Sequence, residues 1–83
     1  MIRIECNTGK TIHVDATSLE GADLSGLDLH RAFLDGASLA GAQLIGTVLR
    51  NAHLEGAVLS GADLTNAALM LACLRGSILR GSI

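Results

Sequence analysis

Residues 52 to 66 read Ala52-His53-Leu54-Glu55-Gly56, Ala57-Val58-Leu59-Ser60-Gly61, Ala62-Asp63-Leu64-Thr65-Asn66. Leu returns every fifth residue, with a small residue two before it and Gly or Asn two after it. Extended both ways, the register places Leu at 19, 24, 29, 34, 39, 44, 49, 54, 59, 64, 69, 74 and 79. These are thirteen consecutive positions, and thirteen of the fifteen leucines in the chain. The position two before each Leu is Ala at nine of thirteen, otherwise Thr17, Thr47, Ser77 or the bulky Leu27. The position two after is Gly at nine of thirteen, otherwise Arg31, Asn51, Asn66 or Leu71. Repetition this regular decides the architecture before any local propensity does.

A period of five suits neither common element. Five residues advance an α-helix by about 500°, so the leucines would wander around the axis instead of forming a stripe. In a continuous strand an odd period would flip each Leu to the opposite face. A helical bundle would also set nine glycines inside helices, at about 1 kcal/mol each. The pattern fits a chain that turns a corner every five residues. The small residue and the Leu, two apart, point inward together, and a residue able to take φ > 0 bends the backbone before the next stretch. Stacked coils of this kind hydrogen-bond at about 4.8 Å spacing.

The units Ala22-Asp23-Leu24-Ser25-Gly26, Ala62-Asp63-Leu64-Thr65-Asn66 and Ala52-His53-Leu54-Glu55-Gly56 resemble the pentapeptide-repeat family, whose consensus is A(D/N)LXX. The resemblance covers residues 17–83. It implies an all-β fold, a right-handed quadrilateral β-helix (a β-solenoid) with four pentapeptides per coil. Thirteen units then make slightly more than three coils, a stub about 15 Å tall. Columns twenty residues apart support four units per turn. Gly21, Gly41, Gly61 and Gly81 share one corner, while Arg31, Asn51 and Leu71, three of the four departures from Gly, share another.

Residues 1–16 lie outside the register. Ile2, Ile4 and Cys6 alternate with polar residues, as do Ile12 and Val14, around Asn7-Thr8-Gly9. A three-residue loop with Gly in the left-handed position pairs Ile4 with Ile12 and Ile2 with Val14. The segment is expected to form a β-hairpin cap whose apolar face covers the first coil and blocks an open edge. The two segments, 1–16 and 17–83, make one domain, since 83 residues leave no room for a second core.

Composition removes several functions. With 17% charged residues and 49% apolar ones, the chain is too apolar for disorder. One aromatic residue, Phe33, and a net charge of −2 do not suit base stacking on nucleic acid. The longest purely apolar run, residues 67–74, is far short of the roughly twenty residues of a membrane span. Cys6 and Cys73 form no disulfide framework, so a cytoplasmic setting is expected.

Columns of outward residues are the candidate sites. Phe33, His53 and Cys73 stack one coil apart, but tetrahedral zinc needs four ligands and Phe33 is not one. Asp35, Glu55 and Arg75 form the next column, where two carboxylates about 5 Å apart resemble a glycosidase pair. On a convex wet wall the expectation is a charge ladder, with Glu55 partnered by Arg75. Asp23, Gln43 and Asp63, with Asp28 beside them, occupy the position where the family resemblance implies help in ordering the turn. Ser and Thr lack a poised His, and the glycines lack the Lys of a phosphate-binding loop. No catalytic residue, metal ligand or cofactor is assigned, and an enzyme or metal protein built on Cys73, His53 and Glu55 has little support.

All eight acidic residues lie at or before Asp63. The last coil is apolar on its outside, at Ala68, Met70, Leu71, Cys73, Ile78 and Ile83, an unusual surface for a monomer. Met70, Leu71, Cys73, Ile78 and Ile83 are therefore the expected interface, either for a homodimer through the C-terminal coil or for an unidentified protein partner. The same surface would be covered in a longer parent chain of which this is an excised segment. Some relatives that the resemblance brings in imitate duplex DNA and modulate gyrase-type topoisomerases. Here eight acidic residues are nearly balanced by six basic ones, and three coils span only about five base pairs. The leading expectation is a non-enzymatic structural and interaction module.

Overall fold

The computed structural model describes residues 1–81, so Ile83 lies outside the described residues. Two regular strands open the chain, β1 (Ile2–Glu5) and β2 (Thr11–Val14). They pair antiparallel with Ile2 opposite Val14 and Ile4 opposite Ile12, as the alternation predicts. Gly9 closes the loop at φ 85°, and its amide donates to the Cys6 carbonyl at 3.0 Å. Ile4, Cys6 and Val14 enter the hydrophobic core, while Arg3, Glu5, Thr11 and His13 face water.

Beyond the hairpin every bridge within the repeat is parallel and joins residues twenty apart, from Asp23–Gln43 to Val58–Ile78. Twenty residues are four five-residue units. All thirteen corner residues from Gly21 to Gly81 have φ between 58° and 74°. At each corner from Gly21 to Gly76 the following residue's amide donates to the preceding Leu carbonyl, as Ala32 does to Leu29 at 3.0 Å. Left-handed φ at the second central residue alone marks a type II turn.

The main-chain hydrogen bonds of one unit explain its stability. In the unit of Leu44, the Leu44 amide donates to Asp63 O and the Gly46 amide to Thr65 O, both at 2.8 Å on the next coil. The Gln43 amide donates back to Ala22 O on the previous coil at 2.9 Å, and the Ala42 amide closes the turn onto Leu39 O at 3.0 Å. The fifth amide faces outward, where a side chain two residues back can take it. Ser25 donates to Asp23 Oδ1 at 3.1 Å, His30 to Asp28 at 3.2 Å and Thr65 to Asp63 at 3.0 Å. A short acceptor before the Leu therefore satisfies an amide the ladder leaves over.

The interior is filled by the register itself. Leu24, Leu29, Leu39, Leu44, Leu49, Leu54 and Leu59 are all 0% exposed, and burying each is worth about 1.5–3 kcal/mol. Ala32, Ala42, Ala52, Ala57 and Ala62 fill the space between them. Thr47 replaces Ala without leaving a stray polar atom, because its hydroxyl donates to Leu24 O at 2.8 Å. The inward register alone does not bury a Leu: Leu64, Leu69 and Leu74 are half-buried, and Leu79 is exposed. These lie in the last described coil, where no further coil packs below them.

The hairpin joins the repeat at one face. Cys6 bridges Ala32 antiparallel, the Asn7 amide donates to Arg31 O at 2.9 Å, and the Phe33 amide donates to Glu5 O at 2.8 Å. Elsewhere in the ladder the amide before the Leu bonds to a preceding coil, as His53 does to Ala32 O at 2.8 Å, so for Phe33 the end of β1 takes that place.

Candidate functional site

Two surfaces hold the residues singled out above. The first is the outside of the last described coil. Met70 is 58% exposed, Leu71 82% and Ile78 50%, while Cys73 is half-buried in line with His53. Leu71 occupies a corner at φ 60°, which turns its side chain out into solvent. Exposed apolar side chains also occur elsewhere, at Phe33 and Ile45.

The second surface covers Leu34 and Leu54. Phe33, His53 and Cys73 are bridged in sequence as the twenty-residue column requires. The Phe33 and His53 rings are stacked, with centroids 4.9 Å apart and planes at 17°. Glu55 departs from the expected ladder. The group its carboxylate meets is His53, with Nδ1 to Oε1 at 3.9 Å, and no pair with Arg75 forms among the described residues. The physical reason is reach: residues 53 and 55 flank the inward Leu54 and so project from the same side of one extended stretch. Asp35 stands one coil away from Glu55. As a result Asp35, His53 and Glu55 bring one ligand atom each to within 4.8 Å of one another. The twenty-residue offset combined with the two-residue one was the signal for this trio. His53 also lines a shallow depression of about 210 Å³ with Asn7, Arg31 and Asn51.

Electrostatics elsewhere follow the turn chemistry. Asp23 and Asp63 are held below the ordinary 3.8. For Asp23 the Ser25 amide contributes most, followed by the Ser25 side chain. For Asp63 the Thr65 hydroxyl contributes most, followed by its amide. The Cys6 thiol is pushed up, mainly by burial, against a smaller opposing effect of Lys10. Among the described residues no helix is long and apolar enough to cross a membrane.

Comparison with known proteins agrees with this geometry. The model of the family described as pentapeptide repeats matches in eight copies, over residues 15–41 and 42–81. HetL from the cyanobacterium Nostoc sp. strain PCC 7120, a pentapeptide repeat protein involved in heterocyst differentiation regulation, is 40% identical, with a TM-score of 0.77. That match covers 80% of this chain and 31% of HetL. Rfr23, a pentapeptide repeat protein from the cyanobacterium Cyanothece 51142, is also 40% identical, with a TM-score of 0.71. It is matched over 74% of this chain and 42% of its own length. The chain therefore spans less than half of either structure. Comparison with curated proteins gives no match. An unbroken five-residue register, a left-handed corner in every unit and these two likenesses agree: the chain belongs to the pentapeptide repeat family.

Proposed function

We propose that the chain is a non-enzymatic protein-interaction module that self-associates through its C-terminal coil. Its proposed scaffold is a right-handed quadrilateral β-helix of slightly more than three coils, capped by the hairpin of residues 1–16. Support for four sides comes from the twenty-residue bridges, and support for the cap from the bonds of Cys6, Asn7 and Phe33. The observation that carries the interface is the exposed apolar set Met70, Leu71 and Ile78 in a stretch with no acidic residue after Asp63. Removing such a set from water is the usual driving force for association. A cytoplasmic setting belongs to the same proposal, supported by the free thiols of Cys6 and Cys73.

Light-scattering mass tests the module. The 83-residue chain is expected to be dimeric at tens of micromolar, and Leu71→Asp is expected to make it monomeric. A monomer at that concentration, with Leu71→Asp leaving solubility unchanged, removes the interface. A second reading rests on the lengths of the matched structures, of which the chain covers 31% and 42%. In a longer parent protein the same apolar coil would be stacked by further coils, and appending them would abolish association while raising stability. A gyrase-modulating role is less well supported, because six basic residues nearly balance eight acidic ones. A supercoiling assay showing protection or inhibition would reinstate it.

A further inference from the structure

The face over Leu34 and Leu54 is a small grid. Phe33 and Asp35 flank Leu34 on one coil, and His53 and Glu55 flank Leu54 on the next. Their backbone positions are pinned by the ladder. Leu34 donates to His53 O, His53 to Ala32 O and Gly36 to Glu55 O, each at 2.8 Å. The Phe33 ring lies against the imidazole, with a centroid separation of 4.9 Å, and limits its rotation. Three donor-bearing residues from two coils are thus set side by side by their backbones before any ligand arrives.

Their chemistry suits a cation. Two donors bound to one ion at about 2.1 Å lie at most about 4.2 Å apart. The 3.9 Å between His53 Nδ1 and Glu55 Oε1 already meets that limit. Asp35, within the 4.8 Å group, needs only a small side-chain rotation to join. Two carboxylates and a neutral imidazole offset a divalent charge, and the nitrogen donor favours first-row transition metals over magnesium or calcium. We propose that Asp35, His53 and Glu55 form a three-ligand site for a divalent transition-metal ion of the zinc type, with water completing the coordination. The site faces solvent, Asp35 being exposed and the other two half-buried. Arg75 follows Glu55 in its column, and Arg31 shares the depression with His53, so two cations oppose the ion and hold its affinity to a moderate level. Nothing in the site depends on the C-terminal interface.

Calorimetric titration of the full chain with Zn²⁺ in a non-coordinating buffer tests the site. One ion per chain is expected. Asp35→Asn, His53→Gln and Glu55→Gln are each expected to weaken it at least about tenfold, the loss that even outer-shell partners produce. Cys73→Ser and His30→Gln are expected to bind as the parent does. Paramagnetic Co²⁺ is expected to broaden the amide resonances of residues 33–36 and 53–56 selectively. That map on the unsubstituted chain decides alone if a variant fails to fold. The proposal is overturned by the absence of saturable binding or by parental affinity in His53→Gln. It is equally overturned if Cys73→Ser loses the ion while Asp35→Asn keeps it, which places the ion on His53 and Cys73.

Discussion

Leu71 invites a substitution with a sign that contact counting would get wrong. It holds φ at 60°, a conformation that costs an ordinary L-residue about 1–2 kcal/mol. Its side chain recovers little, since the residue is 82% exposed. Against a full Leu burial of about 1.5–3 kcal/mol, the covered fraction is worth roughly 0.5 kcal/mol at most. Asn visits the left-handed region readily, and Asn51 already does so one coil earlier in the same column at φ 58°. Leu71→Asn is therefore expected to stabilise the folded monomer by about 1 kcal/mol, a rise of about 4–8 °C in Tm for a domain of this size. Urea unfolding at low micromolar concentration measures this without a contribution from association. At tens of micromolar the same substitution is expected to weaken self-association, because it removes apolar surface from the proposed interface. A variant no more stable than the parent at low concentration refutes the backbone-strain account. The reciprocal Asn51→Leu is expected to lose about as much as Leu71→Asn gains.

Leu44→Ala removes a side chain that is 0% exposed and is expected to cost about 3 kcal/mol. Leu79→Ala, at 40% exposed, is expected to cost about 1 kcal/mol, and equal urea midpoints for the two variants would contradict the graded core. Asp23 and Asp63 have folded-state values depressed below 3.8, so their stabilising effect is present above that pH and lost as pH falls through the folded values. Acid titration of stability is accordingly expected to be shallower below about pH 4 in an Asp23→Asn, Asp63→Asn double variant, and an unchanged slope counts against the turn bonds. The Cys6 thiol, buried and raised, is expected to resist alkylation at pH 8 until the chain unfolds. Labelling of Cys6 in the native protein as fast as in urea would show that the hairpin lifts off the repeat.

The corners were the most legible part of the fold. Leu at every fifth position and Gly two later are demanded together by an inward side chain and a left-handed turn, and each of the thirteen corners has that conformation. The twenty-residue period was legible from the departures. Arg31, Asn51 and Leu71 share a column, and all three take φ near 60°. Less legible was anything that depends on neighbours in two directions at once. Considered within its own column, Glu55 belonged with Arg75, yet His53, two residues back along the chain, is its partner at 3.9 Å. The Asp35, His53 and Glu55 cluster draws on both directions, Asp35 lying twenty residues before Glu55 and His53 two before it, so no single column contains it. End effects were also hidden. Leu79 carries the same five-residue signature as Leu44, but one is 40% exposed and the other 0%, a difference set by what lies below each.

The parallel bridges between residues twenty apart make chain length behave like a counter with two digits. Deleting residues 37–56 would rejoin Gly36 to Ala57, returning every corner, Leu and outward column to its old phase. Deleting only residues 37–41 would keep each Leu inward and each corner a turn, but would rotate everything downstream by one side of the coil. Phe33 would then face Val58 instead of His53, and the cluster on that face would be dispersed although no residue in it had been touched. Insertions and deletions in such a chain thus fall into two grades, one that keeps only the inward register and one that keeps the stacking of the outward columns as well. A lineage that conserves a surface feature must change length by whole coils.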